Sequence, residues 1–444
     1  MVKRLHKLLP LFFGSILLAA LNTVCLGQTT PKDTTINPSD GQILTDLISA
    51  NKDAIFTDKA KFTFRVKNKT HEEQVGSVKY QVTTETGKEL HTDSVKVKIA
   101  VNATEDYTFV IPESAPGFYK LNFMIYVTDT QDTTRRAFGI RPDEIKSSHK
   151  KPGDFDAFWQ TAKQELAKVK PNFKVTPMPK LDTKKSKVYL VEMQSLDTMT
   201  IRAWMTIPIT NNKHKKFAVL LDLPGYQVDL DPITGDDPDV VLITLNVRGQ
   251  GNSRGPIDTR HDEFIVHHIE DKNQYVMRGV VMDCLRAMDF IWSRPDFDHN
   301  RIFVKGGSMG AYLALATASL DKRVNLCSAQ SPILCDIRNL QGEVEFPWRS
   351  IDTYLKTQPG LTMDRILDNL DYFDGKNFAP NVTCNTIMSI GLVDNYAPPN
   401  NEYAVYNSLN VNKHIMIFKD LAHDASPLYV KFEDAWMHDE FGLY

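Results

Sequence analysis

The stretch RIFVKGGSMGAYLALATASL, residues 301–320, decides how this chain folds. It opens with Ile302-Phe303-Val304, a β-branched and aromatic run that is typical of a buried strand. It closes with an almost wholly apolar run over residues 311–320, which predicts a buried helix. The residues between the two runs must therefore form a sharp strand-to-helix turn.

This turn, Gly306-Gly307-Ser308-Met309-Gly310, fits the pattern G-x-S-x-G. Such a turn strains the backbone of the serine and needs small neighbours, because a Cβ there would collide with the adjacent strand or helix. It also lifts the hydroxyl above the sheet edge, beside the positive end of the helix dipole. We expect Ser308 to be a nucleophile. The competing interpretation is a glycine-rich connection with an incidental serine, and the flanking strand and helix favour the first.

The chain has 444 residues, enough for two or three domains. Its hydrophobic content of 42% and charged content of 24% are those of a globular protein. A net charge of −3 argues against a polyanionic partner, so we expect no nucleic-acid binding.

The amino terminus has the features of a signal peptide. An apolar stretch at residues 8–21 is shorter than a confident membrane span and follows three basic residues, Lys3, Arg4 and Lys7. Small residues at the end of this segment predict cleavage near Gly27-Gln28. Residues 1–27 would then be removed, and the mature protein would be exported to the periplasm or secreted, free of the membrane.

The cysteines leave the redox state open. Cys25 would leave with the signal peptide, and Val24 is a poor fit for the small residue that precedes a lipidated cysteine. The other four lie in or beside apolar stretches without C-x-x-C spacing: Cys284, Cys327, Cys335 and Cys384. Both a disulfide in an exported protein and buried free thiols fit this pattern.

Residues 28–145 are predicted to form an all-β accessory domain after a polar leader. Short turn clusters separate five runs of alternating or nearly alternating apolar and polar residues, at 62–66, 78–82, 95–99, 107–111 and 121–126. This spacing favours a small antiparallel β-sandwich, immunoglobulin-like in general shape. Its sequence shows no catalytic spacing, so it supports, orients or binds.

Residues 150–444 alternate helical and strand patterns, which predicts a doubly wound, mostly parallel α/β sheet. The expected strands are 188–193, 201–207, 217–223, 240–245, 302–304, 326–328, 386–391 and 415–418. The expected helices are 154–169 with Asp154 as the N-cap, 274–292, 311–320, 401–409 and a closing helix from Ser426-Pro427, with a mostly helical insertion at 336–378. An apolar stripe should pack the second helix on the sheet: Val276, Val280, Cys284, Met288 and Trp292.

A nucleophilic serine needs a general base, and the base needs an orienting carboxylate. In open α/β sheets these groups lie just past the carboxyl ends of strands. Asp394 follows the predicted strand 386–391, and His423 follows 415–418. The order Ser308, Asp394, His423 is that of the α/β-hydrolase fold.

The attack also builds negative charge on the carbonyl oxygen, which preorganised N–H donors must stabilise. We expect one donor to be the backbone amide of Met309. The other should lie in Pro224-Gly225-Tyr226, after the strand 217–223, and is either Tyr226 or Gly225 because proline has no N–H.

Two further motifs have rival interpretations. Arg248-Gly249-Gln250-Gly251 contains G-x-G after a strand, but the dinucleotide fingerprint is incomplete, so we expect Arg248 and Gln250 to hold their loop and the loops near the site in place. A group of aspartates lacks the spacing of a calcium loop and predicts a solvated turn: Asp229, Asp231, Asp236, Asp237 and Asp239.

Several of these motifs together resemble the acetyl xylan esterase and cephalosporin C deacetylase family, carbohydrate esterase family seven. They are the segments 248–251 and 306–310, Ser331-Pro332-Ile333-Leu334-Cys335-Asp336, Gly391-Leu392-Val393-Asp394 with Pro398-Pro399, and the opening Pro152-Gly153-Asp154-Phe155-Asp156-Ala157-Phe158-Trp159. The resemblance covers about residues 150–444 and leaves out the β-domain.

The resemblance implies deacetylation of small acetylated sugars, above all xylo-oligosaccharides, without a metal or organic cofactor. It implies Ser308 as nucleophile, Asp394 as orienting acid, His423 as base, and Tyr226 and Met309 as oxyanion-hole amides. Family members tend to form rings of subunits, and the added β-domain leaves a homo-oligomer as an open expectation.

This sequence departs from the family pattern at three places. Met309 stands where glutamine is usual, and Pro224 where histidine precedes the glycine of the oxyanion loop. The family usually has a glutamate near the catalytic histidine, whereas Asp424-Ala425 follow His423 here. Two rivals stay open: a serine peptidase of the prolyl-oligopeptidase type, and a catalytically silent carbohydrate-binding or scaffold protein.

Overall fold

A computed structural model describes residues 42–255, 257, 263–342 and 344–443. The predicted signal peptide and most of the polar leader lie outside the described residues. Among the helices of the described residues, none combines the length and apolarity needed to cross a bilayer.

The amino-terminal part consists of two sheets. Their strands, β1 to β8, are Ile43–Ser49, Ile55–Phe56, Lys61–Asn68, Gln74–Thr83, Glu89–Ile99, Thr104–Val110, Gly117–Val127 and Thr130–Ile140. One sheet has the order β1-β3-β6 and the other β2-β8-β7-β4-β5. Alternate residues of β3 are buried, and Phe64 stacks on Phe123 of the facing sheet with ring centroids 5.4 Å apart. The prediction of an amino-terminal all-β domain is confirmed.

The carboxy-terminal part is built on one sheet of nine strands. They are β9 to β17: Lys174–Pro177, Ser186–Gln194, Thr200–Pro208, Phe217–Leu223, Val240–Asn246, Phe297–Gly307, Leu326–Gln330, Asn385–Gly391 and Lys413–Phe418. Their order is β17-β16-β15-β14-β12-β13-β11-β10-β9. The strands from β17 to β13 pair in parallel and β11, β10 and β9 add on antiparallel. The predicted mostly parallel α/β sheet is confirmed.

Helices cover both faces of this sheet. They are α1 to α9: Phe155–Lys168, Glu263–Val266, Val276–Ser293, Met309–Leu320, Trp348–Leu355, Met363–Leu370, Gly375–Phe378, Pro399–Ser408 and Pro427–Phe441. Almost every residue of α4 is buried, because this helix lies between the sheet and its neighbours α3 and α7. On the other face α9 packs Met437 and Phe441 against Leu220 and Phe303.

Two local predictions need correction. Trp292 ends the predicted apolar stripe of α3 but is 44% exposed and stacks on His299, because it lies in the last turn, where the helix leaves the core. Asp154 occupies the N-cap position of α1, yet its side chain makes no capping hydrogen bond and instead pairs with Tyr372 and Lys272.

The apolar core of the β-sandwich includes side chains from the carboxy-terminal part of the chain. Ile390, Leu392 and Tyr403 from the carboxy-terminal part are buried among the aromatic side chains of the β-sandwich. Phe118 packs on Tyr403 with ring centroids 5.2 Å apart. The sandwich is therefore docked beside the end of β16.

Candidate active site

Ser308 lies in the turn between β14 and α4 with φ 59° and ψ −119°. A residue with a side chain rarely adopts this backbone conformation, so the surrounding structure must hold it there. The strain that the G-x-S-x-G pattern predicts is therefore present at the serine itself.

The glycines around Ser308 explain how the turn fits. A Cβ on Gly306 would lie 2.4 Å from the carbonyl carbon of Gly310, and a Cβ on Gly310 would lie 2.2 Å from the carbonyl oxygen of Leu223. A Cβ on Gly307 would have its nearest neighbour at 4.0 Å, an ordinary contact. The two glycines of the pattern are thus required by close backbone contacts, whereas Gly307 stands at a variable position of the pattern, where the face of the turn is open.

Three side chains from three strand ends meet at this turn. The Oγ of Ser308 is 2.8 Å from Nε2 of His423, and Nδ1 of His423 is 2.7 Å from Oδ2 of Asp394. The side chain of Asp394 is fully buried and that of His423 is 20% exposed. A hydroxyl that donates to an imidazole, which in turn donates to a buried carboxylate, is the arrangement that turns a serine into a nucleophile.

The second oxygen of Asp394 also has partners. Its Oδ1 accepts hydrogen bonds from the backbone N–H groups of Tyr396 at 2.8 Å and Ala397 at 2.9 Å. The loop after β16 therefore closes around the carboxylate and fixes its orientation toward His423.

A glycine allows the loops that carry Asp394 and His423 to touch. A Cβ on Gly391, the last residue of β16, would lie 2.3 Å from the carbonyl oxygen of Leu421. The N–H of Val393 also donates to that oxygen at 3.2 Å. This close backbone approach brings the acid and the base within reach of each other.

The loop after β12 lies next to the turn at Ser308. A Cβ on Gly225 would be 3.7 Å from the carbonyl oxygen of Gly307, so the backbones of the two segments adjoin. Met309 is buried at the first position of α4, where backbone N–H groups are left without partners inside the helix. The two predicted oxyanion donors, Tyr226 and Met309, thus belong to adjoining segments.

Gln250 holds the loop after β12 on both sides of Tyr226. Its Nε2 donates to the carbonyl oxygens of Gly225 at 3.1 Å and Val228 at 3.2 Å, and its Oε1 accepts from the N–H of Gln227 at 3.0 Å. The side chain is buried, so water does not compete for these bonds. The carboxamide of Gln250 therefore fixes the backbone that carries the Tyr226 amide.

Arg248 anchors the segment after β13, which also carries Gln250, to α3. Its Nε and Nη2 bind the two carboxylate oxygens of Asp283 at 2.9 and 2.8 Å, and its Nη2 also donates to the carbonyl oxygen of Leu196 at 3.0 Å. A Cβ on Gly279 would lie 2.1 Å from Nη1, so α3 carries glycine where the guanidinium crosses it. Burial acts to lower the pKa of Arg248, but the charges and hydrogen bonds of Asp283 and Asp197 together outweigh it, and the pKa is raised.

Aromatic side chains border the loop after β12. The ring of Tyr226 lies 4.8 Å from that of Phe346 and 5.9 Å from that of Phe264, centroid to centroid. Phe264 is fully buried. These rings crowd the side of the site on which the predicted oxyanion donors lie.

No pattern in the sequence predicts the contacts between the β-sandwich and the loops of the site. The carboxamide of Asn400 binds Phe118 and Glu85 of the sandwich, and Arg136 pairs with Asp420 in the loop before His423 at 3.7 Å. Residue spacing along a chain predicts strand ends, but it does not predict which surface a second domain covers. These contacts follow from the fold alone.

Glu402 is a second residue that the sequence did not point to. It is buried in α8, and among the described residues neither of its carboxylate oxygens has a hydrogen-bond partner. Burial, with Asp394 and Glu85 nearby, raises the pKa of Glu402 well above its usual range. A buried carboxyl group whose charged form is disfavoured therefore lies close to Asp394.

The group of aspartates that was compared with a calcium loop forms ion pairs within the protein. Four of the five aspartates of the predicted solvated turn pair with cationic or imidazole groups: Asp229 with Arg254, Asp236 with Lys185, Asp237 with His438 and Asp239 with Lys215.

The four described cysteines are buried and free. Of the two alternatives that the sequence left open, a disulfide or buried free thiols, the structure therefore has the second.

Comparison with known proteins identifies relatives of the carboxy-terminal part. The family model described as Acetyl xylan esterase (AXE1) matches residues 142–439. The acetyl esterase Axe7A of Xylanibacter ruminicola is 27% identical over 315 residues, which cover 68% of this chain and 70% of that protein.

Two solved structures extend the comparison. The acetyl xylan esterase from Paenibacillus sp. R4 is 26% identical with a TM-score of 0.62, covering 67% of this chain and 98% of that one. Acetyl xylan esterase 1 from Thermoanaerobacterium sp. JW/SL YS485 is 23% identical with a TM-score of 0.60, covering 67% of this chain and 97% of that one, and shows the shared fold. The family match spans most of the chain and agrees with the resemblance seen in its motifs. The chain belongs to the acetyl xylan esterase family and is a hydrolase of carboxylic ester bonds.

Proposed function

We propose that this enzyme is exported and removes acetyl groups from acetylated carbohydrates, with xylo-oligosaccharides and xylan as the first candidates, through a covalent acyl-serine intermediate. The observation that carries the proposal is the unbroken hydrogen-bonded line from Ser308 through His423 to Asp394. The activities named for the relatives, an acetyl esterase and acetyl xylan esterases, support the choice of acyl group and carbohydrate. Cephalosporin-type acetyl esters belong to the same chemical class and are a further candidate.

The first half-reaction forms the acyl-enzyme. Nε2 of His423 takes the proton of Ser308 as Oγ bonds to the acetyl carbonyl carbon, and the carbonyl oxygen becomes an oxyanion near the Met309 and Tyr226 amides. Asp394 keeps the imidazole oriented and stabilises its positive charge. The carbon–oxygen bond to the sugar then breaks, and His423 gives its proton to the departing sugar oxygen.

The second half-reaction releases acetate. A water molecule gives a proton to Nε2 of His423 and adds its oxygen to the acyl carbon. The bond to Oγ breaks, the proton returns to Ser308, and acetic acid leaves. One ester bond and one water are consumed, and one alcohol and one acid are formed, so no other reactant is required.

The test is acetate release from 4-nitrophenyl acetate, acetylated xylan, other acetylated glycans and short acetyl peptides. We expect Ser308→Ala to lower kcat by about 10⁴-fold or more. Ser319→Ala is the matched control, because this buried serine lies on the same helix and its hydroxyl has no partner among the described residues. Equal, slow turnover by wild type and Ser308→Ala would favour the silent binding protein, and cleavage of the peptide bonds without acetate release from any glycan would favour the peptidase.

Export is proposed from the amino-terminal pattern, basic residues followed by the apolar stretch 8–21. Expression of the full chain in a bacterium with a Sec system, followed by mass spectrometry of the exported protein, should give an amino terminus at Gln28. Retention of the intact chain in the cytoplasm would contradict export and leave the esterase assignment unaffected.

A further inference from the structure

One large aromatic side chain on the loop of Asp394 is open to solvent. Tyr396 is 54% exposed, and its ring lies 5.3 Å from the imidazole of His423, centroid to centroid, at an interplanar angle of 45°. None of the sequence motifs included this residue, and the mechanism above assigns no step to it.

The backbone beneath this ring is held firmly. The N–H of Tyr396 donates to Oδ1 of Asp394 at 2.8 Å, and the next residue, Ala397, is buried and donates to the same oxygen. Pro398 and Pro399 then restrict the chain at the start of α8. An exposed ring on a fixed backbone is preorganised, so little conformational entropy is lost when a ligand packs on it.

The mechanism decides which part of the substrate comes near this ring. His423 must give its proton to the departing alcohol, so the sugar oxygen has to lie within hydrogen-bond distance of Nε2. The pyranose ring that bears this oxygen is therefore next to the imidazole, on which Tyr396 packs. The carbonyl oxygen of the acetyl group must instead lie near the proposed Met309 and Tyr226 amides, on the side of the site where Phe346 and Phe264 pack on Tyr226.

A pyranose has a face of C–H groups and an edge of hydroxyls, and the face of an aromatic ring is electron-rich. Tyrosine offers a large rigid apolar surface with a polar end, which matches such a ligand. A simple alkyl ester has no comparable face to place there.

From this geometry we infer that Tyr396 is the stacking platform for the sugar ring that bears the scissile acetyl group, and that it sets the preference for saccharide over simple acetyl esters. The inference rests on the proposed function and names a specificity-determining residue within it. The preference is expressed in KM, because the platform binds the sugar equally before and during the reaction.

The first experiment compares acetylated xylobiose with ethyl acetate, which has no ring. In Tyr396→Ala the ratio of kcat/KM for the sugar ester to that for ethyl acetate should fall roughly tenfold, mostly through KM, since an aromatic stacking contact contributes about that much. Tyr396→Phe keeps the ring and should retain most of the ratio. Tyr126→Ala is the control, because Tyr126 is a 38% exposed tyrosine on β7 of the sandwich, and this variant should keep the wild-type ratio.

Two results would overturn the inference. An unchanged ratio in Tyr396→Ala would show that the ring does not bind the sugar. Equal losses on both esters would show that Tyr396 only supports His423.

Binding without turnover separates this inference from the proposed function. Saturation-transfer NMR should detect xylotriose on Ser308→Ala and lose the signal in the double variant with Tyr396→Ala. If wild type releases no acetate from any glycan but the signal still depends on Tyr396, the proposed function fails and the platform stands. If acetate is released from glycans but neither the signal nor the ratio depends on Tyr396, the platform fails and the function stands.

Discussion

Oδ1 of Asn400 on α8 accepts a hydrogen bond from the backbone N–H of Phe118 on β7 at 2.8 Å. The same carboxamide donates to Oε2 of Glu85 at 3.0 Å. Asn400 follows the loop of Asp394, so the β-sandwich is fastened to the segment that carries the proposed orienting acid. The sandwich is thus placed to keep that loop in position.

Replacing this link should affect both stability and activity. We expect Asn400→Ala to cost about 1 to 3 kcal/mol in the free energy of unfolding, because it leaves the Phe118 amide without its acceptor. It should also lower kcat by about threefold to tenfold, because a shift of the acid by a fraction of an ångström weakens catalysis. Thermal unfolding and steady-state kinetics on 4-nitrophenyl acetate measure the two effects.

The control is Asn407→Ala on the same helix. Asn407 donates to the carbonyl oxygens of Pro142 and Ile145, away from Asp394. It should lose stability but keep kcat. A loss of kcat in Asn407→Ala equal to that in Asn400→Ala would mean that activity follows general stability rather than the position of the loop.

Gln250 should matter for the chemical step. Gln250→Ala removes three hydrogen bonds around Tyr226, so the proposed oxyanion donor loses its fixed position, and we expect kcat to fall by about tenfold to a hundredfold with little change in KM. The exposed Gln274 provides the control Gln274→Ala. A rise in KM at unchanged kcat would contradict a role in stabilising the oxyanion.

The two glycines before Ser308 should differ sharply on replacement by alanine. Gly306→Ala places a Cβ 2.4 Å from the backbone of Gly310, so the turn must distort, and we expect a folded yield or kcat at least about a hundredfold lower. Gly307→Ala meets nothing closer than 4.0 Å and should stay within about threefold of wild type. Circular dichroism and kinetics on both variants check this, and equal damage in the two would refute the proposed cause.

Asp222 on β12 should make stability depend on pH. Burial raises its pKa from 3.8 to about 6, while the attraction of Lys305 opposes the rise. Between pH 3.8 and about pH 6 Asp222 holds a proton in the folded protein that it has released in the unfolded chain. The contribution of Asp222 to the free energy of unfolding therefore declines as the pH rises through this range and stays reduced above it.

Asp222→Asn removes that titration. The Tm of Asp222→Asn minus that of wild type should therefore increase between pH 4.5 and pH 7.5, by about 3 to 6 °C at most. Asp352→Asn, at an exposed position on α5, should show no such trend. Parallel Tm curves for wild type and Asp222→Asn across pH 4 to 8 would rule out the effect.

The order and placement of the site could be predicted from the sequence because each of its groups follows a recognisable strand. Ser308, Asp394 and His423 come after β14, β16 and β17, and parallel strands bring such positions to one edge. The burial of Trp292 was predicted wrongly, because burial in the last turn of a helix depends on what lies opposite the residue in space. Tyr396 could not be predicted for the same reason, because no sequence pattern indicates that a tyrosine is exposed beside an imidazole.

The apolar core that Ile390, Leu392 and Tyr403 share with the β-sandwich bears on how this enzyme can be engineered. A gene cut at the linker would leave these side chains facing water on the hydrolase half, and its product should aggregate or lose activity unless polar residues replace them. The amino-terminal part therefore cannot be removed without exposing apolar surface. Fusing it to another esterase would also require the three apolar residues that it covers here.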